Sequence, residues 1–189
     1  MTDPAAEIIV RTSREDDVAA MIAIYTHHIR RGLGGGVVVA EDPDDIKKRR
    51  KNMLSKRLPH LVAEQGGVVI GYAYAVPFRK RPAYRYTAKH SIYISPDHLG
   101  RGLGRRLLGA LVERCAAAGY RQLIGYVDGA NAASLKLHES AGFREVGRLP
   151  SVAFKFGKWA DSVMMQRALG DGDHGPPQDY VPDTAGESD

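Results

Sequence analysis

Three glycines, Gly100, Gly102 and Gly104, stand two apart just behind Pro96. Before them a β-type run, residues 86–94, ends at Ser95-Pro96. After them, apolar residues recur at Leu103, Leu107, Leu108, Leu111, Val112 and Cys115, the spacing of one helix face. Gly119 is a natural stop for that helix. A strand that feeds a glycine turn and then a helix brings free backbone N–H groups and the positive end of the helix dipole to one point. That arrangement suits a phosphate or a pyrophosphate. Two familiar phosphate loops are excluded: G-x-G-x-x-G fails because position 105 is Arg, and no Gly-Lys-Ser/Thr follows. An ordinary glycine-rich strand-to-helix turn satisfies the same residues.

The elements that must hold this turn are legible along the chain. Residues 7–12 alternate as a strand, and Ser13-Arg-Glu-Asp16 reads as a capping box. Val18, Met21, Ile22, Tyr25 and Ile29 then line a helix face; the adjacent His27 and His28 read as surface or partly packed. Residues 37–39 are a short strand or extended loop. A helix starts at Asp42 and carries Lys47, Lys48, Arg49, Arg50, Lys51, Lys56 and Arg57 over a thin apolar seam. It reads as a solvated amphipathic helix, or more sharply as a docking face for an acidic carrier protein. Residues 61–64 and 68–76 form a hairpin, and residues 78–85 a basic, aromatic loop. A strand at 122–127, a helix at 131–143 and strands at 144–148 and 162–167 complete the order.

Composition bounds the function. One Cys excludes a disulfide framework, and the seven His show no paired metal-ligand spacing. No 18-residue apolar run exists, so the expectation is a soluble, cytoplasmic protein with no membrane span. Residues 170–189 hold six acids and no Lys or Arg. The rest of the chain carries 27 basic against 16 acidic residues, a net +11. A phosphate-rich ligand accounts for part of that excess, and no nucleic-acid-binding signature accompanies it. One domain over residues 1–169 and a disordered acidic tail over 170–189 are expected.

Leu99-Gly-Arg-Gly102-Leu-Gly104 resembles the (Gln/Arg)-x-x-Gly-x-(Gly/Ala) turn of the GCN5-related N-acetyltransferases (GNAT). Leu99 stands where that family usually has Gln or Arg. Asn131-x-x-Ser134-x-x-x-His138-Glu139 and Gly142-Phe143 follow in the family's order. Gly71-Tyr-Ala-Tyr74, Phe78-Arg-x-Arg-Pro-Ala-Tyr84 and Phe154-Lys-Phe-Gly-Lys-Trp159 resemble its phosphinothricin N-acetyltransferase branch. The resemblance implies an α/β (α+β) GNAT fold: a single domain with a mixed, mostly antiparallel central sheet flanked by helices. It also implies acetyl-CoA as cofactor, a small-molecule amine as acceptor and a homodimer.

By the same resemblance, the backbone of Ile92, Tyr93 and Ile94 would pair with the pantetheine arm. Leu99, Gly100, Arg101, Gly102, Leu103, Gly104 and Arg105 would wrap the pyrophosphate. Asn131 and Ser134 would lie near the thioester, although both also suit helix capping. His138 replaces the Tyr that acts as general acid in many relatives, and a packed helix His is the other reading. The branch usually places a Glu base in Thr-Val-Glu; here the stretch is Thr87-Ala-Lys89-His90. A protonated Lys cannot accept a proton, so three readings stand: His90 is the base, the acceptor nitrogen is weakly basic and already neutral, or the protein binds CoA without transfer. Val39 occupies the pocket stretch where an aromatic is usual. Arg79, Arg81, Arg85 and Lys155 could hold an anionic acceptor, or serve solubility. Val39 and Lys89 argue against phosphinothricin itself. The leading expectation is an N-acetyltransferase for a small, anionic amino compound. The alternatives are a biosynthetic acyltransferase using a carrier-bound substrate and a non-catalytic CoA-binding module.

Overall fold

The computed structural model describes residues 6–30, 42–177 and 179. Seven strands form one sheet: β1 (Ile8–Thr12), β2 (His60–Gln65), β3 (Val68–Pro77), β4 (Thr87–Ile94), β5 (Gln122–Asp128), β6 (Arg144–Lys155) and β7 (Lys158–Ala168). Their order across the sheet is β1-β2-β3-β4-β5-β7-β6. Every neighbour pair is antiparallel except β4 with β5. That parallel pair needs a crossover, and helix α3 (Leu103–Ala117) supplies it. The other helices are α1 (Val18–Arg30), α2 (Pro43–Ser55) and α4 (Ala132–Ser140). This mixed, mostly antiparallel sheet flanked by helices is the expected fold.

Strand alternation sorts the side chains onto two faces. On one face, Ala88 and Ile94 of β4 pack with Leu103, Leu107, Leu108, Leu111, Val112 and Cys115 of α3. That is the full apolar seam read from the helix spacing. Burying each such leucine contributes about 1.5–3 kcal/mol. On the other face, Tyr72 of β3 packs with Val18, Met21, Ile24, Tyr25 and Ile29 of α1 and Ile46 of α2. Gly119 ends α3 with φ 87°, and the Tyr120 N–H reaches back to Cys115 O at 3.1 Å, which closes the last turn. No helix among the described residues is long and apolar enough to cross a membrane.

Two details differ from expectation. Ser13 does not cap the first helix. It is buried, its hydroxyl 2.9 Å from His60 Nδ1, and Asp17 instead accepts from the Arg14 N–H at 2.6 Å. The last two strands also run much further than the sequence suggests. They meet in a two-residue turn at Phe156 (φ 48°) and Gly157 (φ 74°), both left-handed, as a type I′ hairpin requires.

Candidate active site

The parallel ladder between β4 and β5 is short. It runs from Thr87↔Gln122 to His90↔Gly125 and stops, while β5 stays paired with β7 as far as Asp128. The outer half of β4, from Ser91 to Ile94, therefore borders an opening in the sheet. Backbone parity decides which groups face it. The Ser95 N–H donates to Ile70 O at 2.9 Å, so odd-numbered residues of β4 turn their polar backbone toward β3. Ile92 and Ile94 turn theirs toward the opening, and Tyr93 does not. Of these groups, Ile94 O already accepts from His28 Nε2 at 2.7 Å. His28 is a contributor that nothing in the sequence distinguishes from the adjacent His27.

The glycine turn closes one end of the opening. Gly100 and Gly102 have φ of 75° and 77°, and a Cβ on either would meet nothing within 4 Å. Left-handed backbone, and not crowding, is what calls for glycine there. Gly104 serves packing as well, because a Cβ would come within 3.0 Å of Leu137 Cδ2 on α4. The first turn of α3 leaves backbone N–H groups without intrahelical partners beside this open space. Leu99, Arg101 and Arg105 are exposed around it, whereas the Leu103 side chain is buried. An extended arm along Ile92 and a pyrophosphate on the turn both fit these residues.

Helix α4 borders the opening on the α3 side. Asn131 caps it, its Oδ1 accepting from the Ser134 N–H at 3.0 Å. The structure brings His138 and His90 together beneath this helix. Their rings stack with centroids 5.1 Å apart, and Phe143 packs on both. His138 Nδ1 donates to Ser134 O at 2.7 Å, which leaves its Nε2 as the unprotonated nitrogen. Neither nitrogen of His90 has a hydrogen-bond partner. Burial, reinforced by the neighbouring His138, pushes His90 down to about 3. Burial also lowers His138, against the opposing bond to Ser134. Both are neutral imidazoles at pH 7. Gly125 makes room for the pair: a Cβ would stand 2.9 Å from His90 Nε2 and 3.0 Å from His138 Nε2. Gly125→Ala is therefore expected to cost about 1–3 kcal/mol in urea denaturation. A change below a few tenths would mean that the rings adjust freely.

Lys89 lies on the other face, exposed, with Ser91 and Tyr93. The Tyr93 ring packs on Tyr25 (5.1 Å) and Tyr72 (5.0 Å). Arg79 lies over Phe78 and Tyr84 in the 78–86 loop, and Arg85 lies over Tyr86. Arg79, Arg81 and Arg85 are all exposed. Lys155 is not: it is buried, with Nζ 2.5 Å from Asp128 Oδ2. Burial would raise the Asp128 carboxyl, but the Lys155 ammonium and the Ala130 amide hold it below the usual carboxylate range. Lys155 thus sits in an ion pair at the rim of β5, and Asp128, its partner 27 residues away, was missed in the sequence. Val39 lies outside the described residues. Among the described residues no cluster of His, Cys, Asp or Glu could hold a metal ion.

On α2, Arg49 lies over the Tyr74 ring and Arg50 donates to the Ser13 hydroxyl at 2.8 Å. Lys47 and Lys48 stand beside Asp44 and Asp45. Much of that helix's charge is thus engaged locally.

The pattern of the Acetyltransferase (GNAT) family matches residues 38–143. The chain is 48% identical over 165 residues to the phosphinothricin N-acetyltransferase of Alcaligenes faecalis, covering 87% of this chain and 84% of that protein. It is 36% identical to the L-amino acid N-acyltransferase MnaT of Escherichia coli (strain K12), over 85% of this chain and 93% of that one. Its structure is similar to the GNAT superfamily phosphinothricin acetyltransferase of Sinorhizobium meliloti in complex with acetyl-CoA. The TM-score is 0.88 at 37% identity, over 94% of this chain and 97% of that chain.

Proposed function

The chain belongs to the acetyltransferase (GNAT) family, and from that premise we propose that it acetylates the amino nitrogen of a small, anionic, amino-acid-like acceptor. It is an acetyl-CoA-dependent N-acetyltransferase. The observation that carries this reading is the opening between β4 and β5, with Ile92 backbone groups on one side and the glycine turn at its end. Names of relatives narrow the acceptor: phosphinothricin, L-amino acids, and methionine sulfoximine or sulfone.

When bound, acetyl-CoA supplies an acetyl thioester. The residues of this chain do the rest. Free backbone amides of the glycine turn and the start of α3 would meet the phosphates, with Arg101 and Arg105 beside them, and Asn131 would border the thioester end. Lys89 faces the acceptor side and draws in an anionic compound, with Arg79 and Arg81 on its carboxylate, phosphinate or sulfoximine oxygens. Holding the two reactants in one geometry is the main contribution. His90 and His138 are packed, neutral and interior, so we assign them to shaping the site rather than to taking the proton. The acceptor then reacts as the fraction already neutral, and its proton passes to water. Lys155, already paired with Asp128, holds the rim.

The test is CoA release from acetyl-CoA with amino acids, methionine sulfoximine, amino phosphinates and hydrazines. Amino-acid-like acceptors are expected to turn over, with kcat/KM rising with pH through the acceptor amine's own pKa. Lys89→Glu is expected to raise the rate at pH 7 with strongly basic acceptors by about tenfold or more, because it adds a base. It is also expected to weaken KM for anionic acceptors. No thiol release with any acceptor would sink the reading. A carrier-bound acceptor would meet α2, where the engagement of Arg49 and Arg50 supports the small acceptor instead. Exposed Val152, Phe154, Phe156 and Trp159 on the β6–β7 hairpin support a homodimer, which sedimentation would measure. We place the enzyme in the cytoplasm.

A further inference from the structure

Beyond β7 the chain folds back on the foot of the sheet. Leu169 is buried, and its N–H donates to Arg121 O at 3.0 Å. Two turns follow, closed by Gly172 N–H to Leu169 O and His174 N–H to Asp171 O, both 2.9 Å. The Arg121 guanidinium holds these turns. Its Nε donates to Gly172 O at 2.7 Å, its Nη2 to His174 O at 3.2 Å, and its Nη1 lies 3.6 Å from the Asp171 carboxylate. Further along, the Tyr86 hydroxyl donates to Asp179.

These contacts converge on one place. The N–H groups of Arg121 and Gln122 both donate to Tyr86 O, at 2.8 and 3.2 Å. The Arg85 guanidinium lies 4.5 Å from the Tyr86 ring centroid. A groove of about 620 Å³ opens here, with Lys56, Arg57, Arg85 and Arg121 facing Asp171 and Asp179 of the returning segment. Tyr86 directly follows the 78–85 loop, and Phe78 N–H donates to Thr87 O at 3.1 Å to close that loop at its base. Whatever fixes Tyr86 fixes the base of the loop that carries Arg79 and Arg81.

We propose that residues 169–177 together with Asp179 form a strap that positions the 78–86 loop for acceptor binding, with Arg121, Tyr86 and Asp179 as positioning residues. The proposal rests on the reading that Arg79 and Arg81 meet the acceptor. The Arg121 bonds to backbone carbonyls tie the near end of the strap. Its far end depends on Asp179 and on opposite charge across an exposed groove, so salt loosens it.

The experiment compares the full chain with Asp179→Asn, Tyr86→Phe and a chain ending at Leu169. It reads steady-state kinetics at low salt and hydrogen exchange of the amides of residues 84–86. Acceptor KM is expected to rise about three- to tenfold in each variant, with kcat and acetyl-CoA KM unchanged. Exchange at 84–86 is expected to quicken in parallel, and wild type at about 1 M salt to show the same faster exchange. Unchanged loop exchange in all three variants overturns the strap, whatever the activity does. Faster exchange with unchanged acceptor KM, or an equal rise in both KM values, overturns the positioning role. If wild type turns over no acceptor, the proposed function fails, and hydrogen exchange still decides the strap.

Discussion

Lowering the pH from 7 to 4.5 is expected to remove about 5 kcal/mol of folding stability, through His60 and His90. Burial, with Arg50 and Arg49 nearby, pushes His60 down to about 4, and His90 goes to about 3. Well above pH 6.5 both histidines are neutral whether the chain is folded or not, and they contribute no pH dependence. Below it the unfolded chain binds protons that the folded chain refuses, so stability falls as pH falls, until the folded values are reached. Each group then removes up to about 1.4 kcal/mol per pH unit. The structural reasons differ. His60 Nδ1 already pairs with the Ser13 hydroxyl beside the Arg50 guanidinium, while neither nitrogen of His90 has a hydrogen-bond partner and its ring packs on His138 and Phe143. His138 acts in the same direction. Urea midpoints from pH 7.5 to 4.5 measure the effect, and His90→Phe is expected to remove about half of the slope. A flat profile between pH 6.5 and 5 would contradict the buried neutral assignments.

Asp128→Ala is expected to cost about 3–5 kcal/mol, because it leaves the Lys155 ammonium buried without its carboxylate. The two side chains are 9% and 7% exposed, so solvent screens the pair little. Adding Lys155→Met to Asp128→Ala is expected to restore most of the loss, since an apolar side chain of similar length needs no counter-charge. Thermal melts of the single and double variants decide it. If the single variant melts with wild type, the pair contributes nothing to stability.

How much of this was legible follows from the range of each determinant. The α3 seam, the Gly119 stop and the glycine turn are written within a few neighbouring residues, and they read correctly. Opposite faces for Lys89 and His90 followed from strand alternation alone. The opening between β4 and β5 did not, because it depends on where β5 stops pairing with β4, a matter of register between distant segments. Lys155 read as an acceptor anchor because its partner Asp128 lies on another strand, 27 residues away in the sequence. The β6–β7 hairpin was hidden by Phe156, which takes a left-handed conformation where Asn or Gly is the usual signal.

Strand order carries a consequence for synthesis. The last strand among the described residues, β7, lies inside the sheet, between β5 and β6. Until residue 168 has left the ribosome, β5 has no neighbour on that side. At about 5–20 residues per second, the forty residues after Asp128 take about two to eight seconds to make. For that interval a nascent chain presents an open strand edge to its surroundings. The enzyme is thus a protein that closes its sheet from the carboxyl end, and ribosome-bound intermediates short of β7 should depend on chaperones that shield such edges.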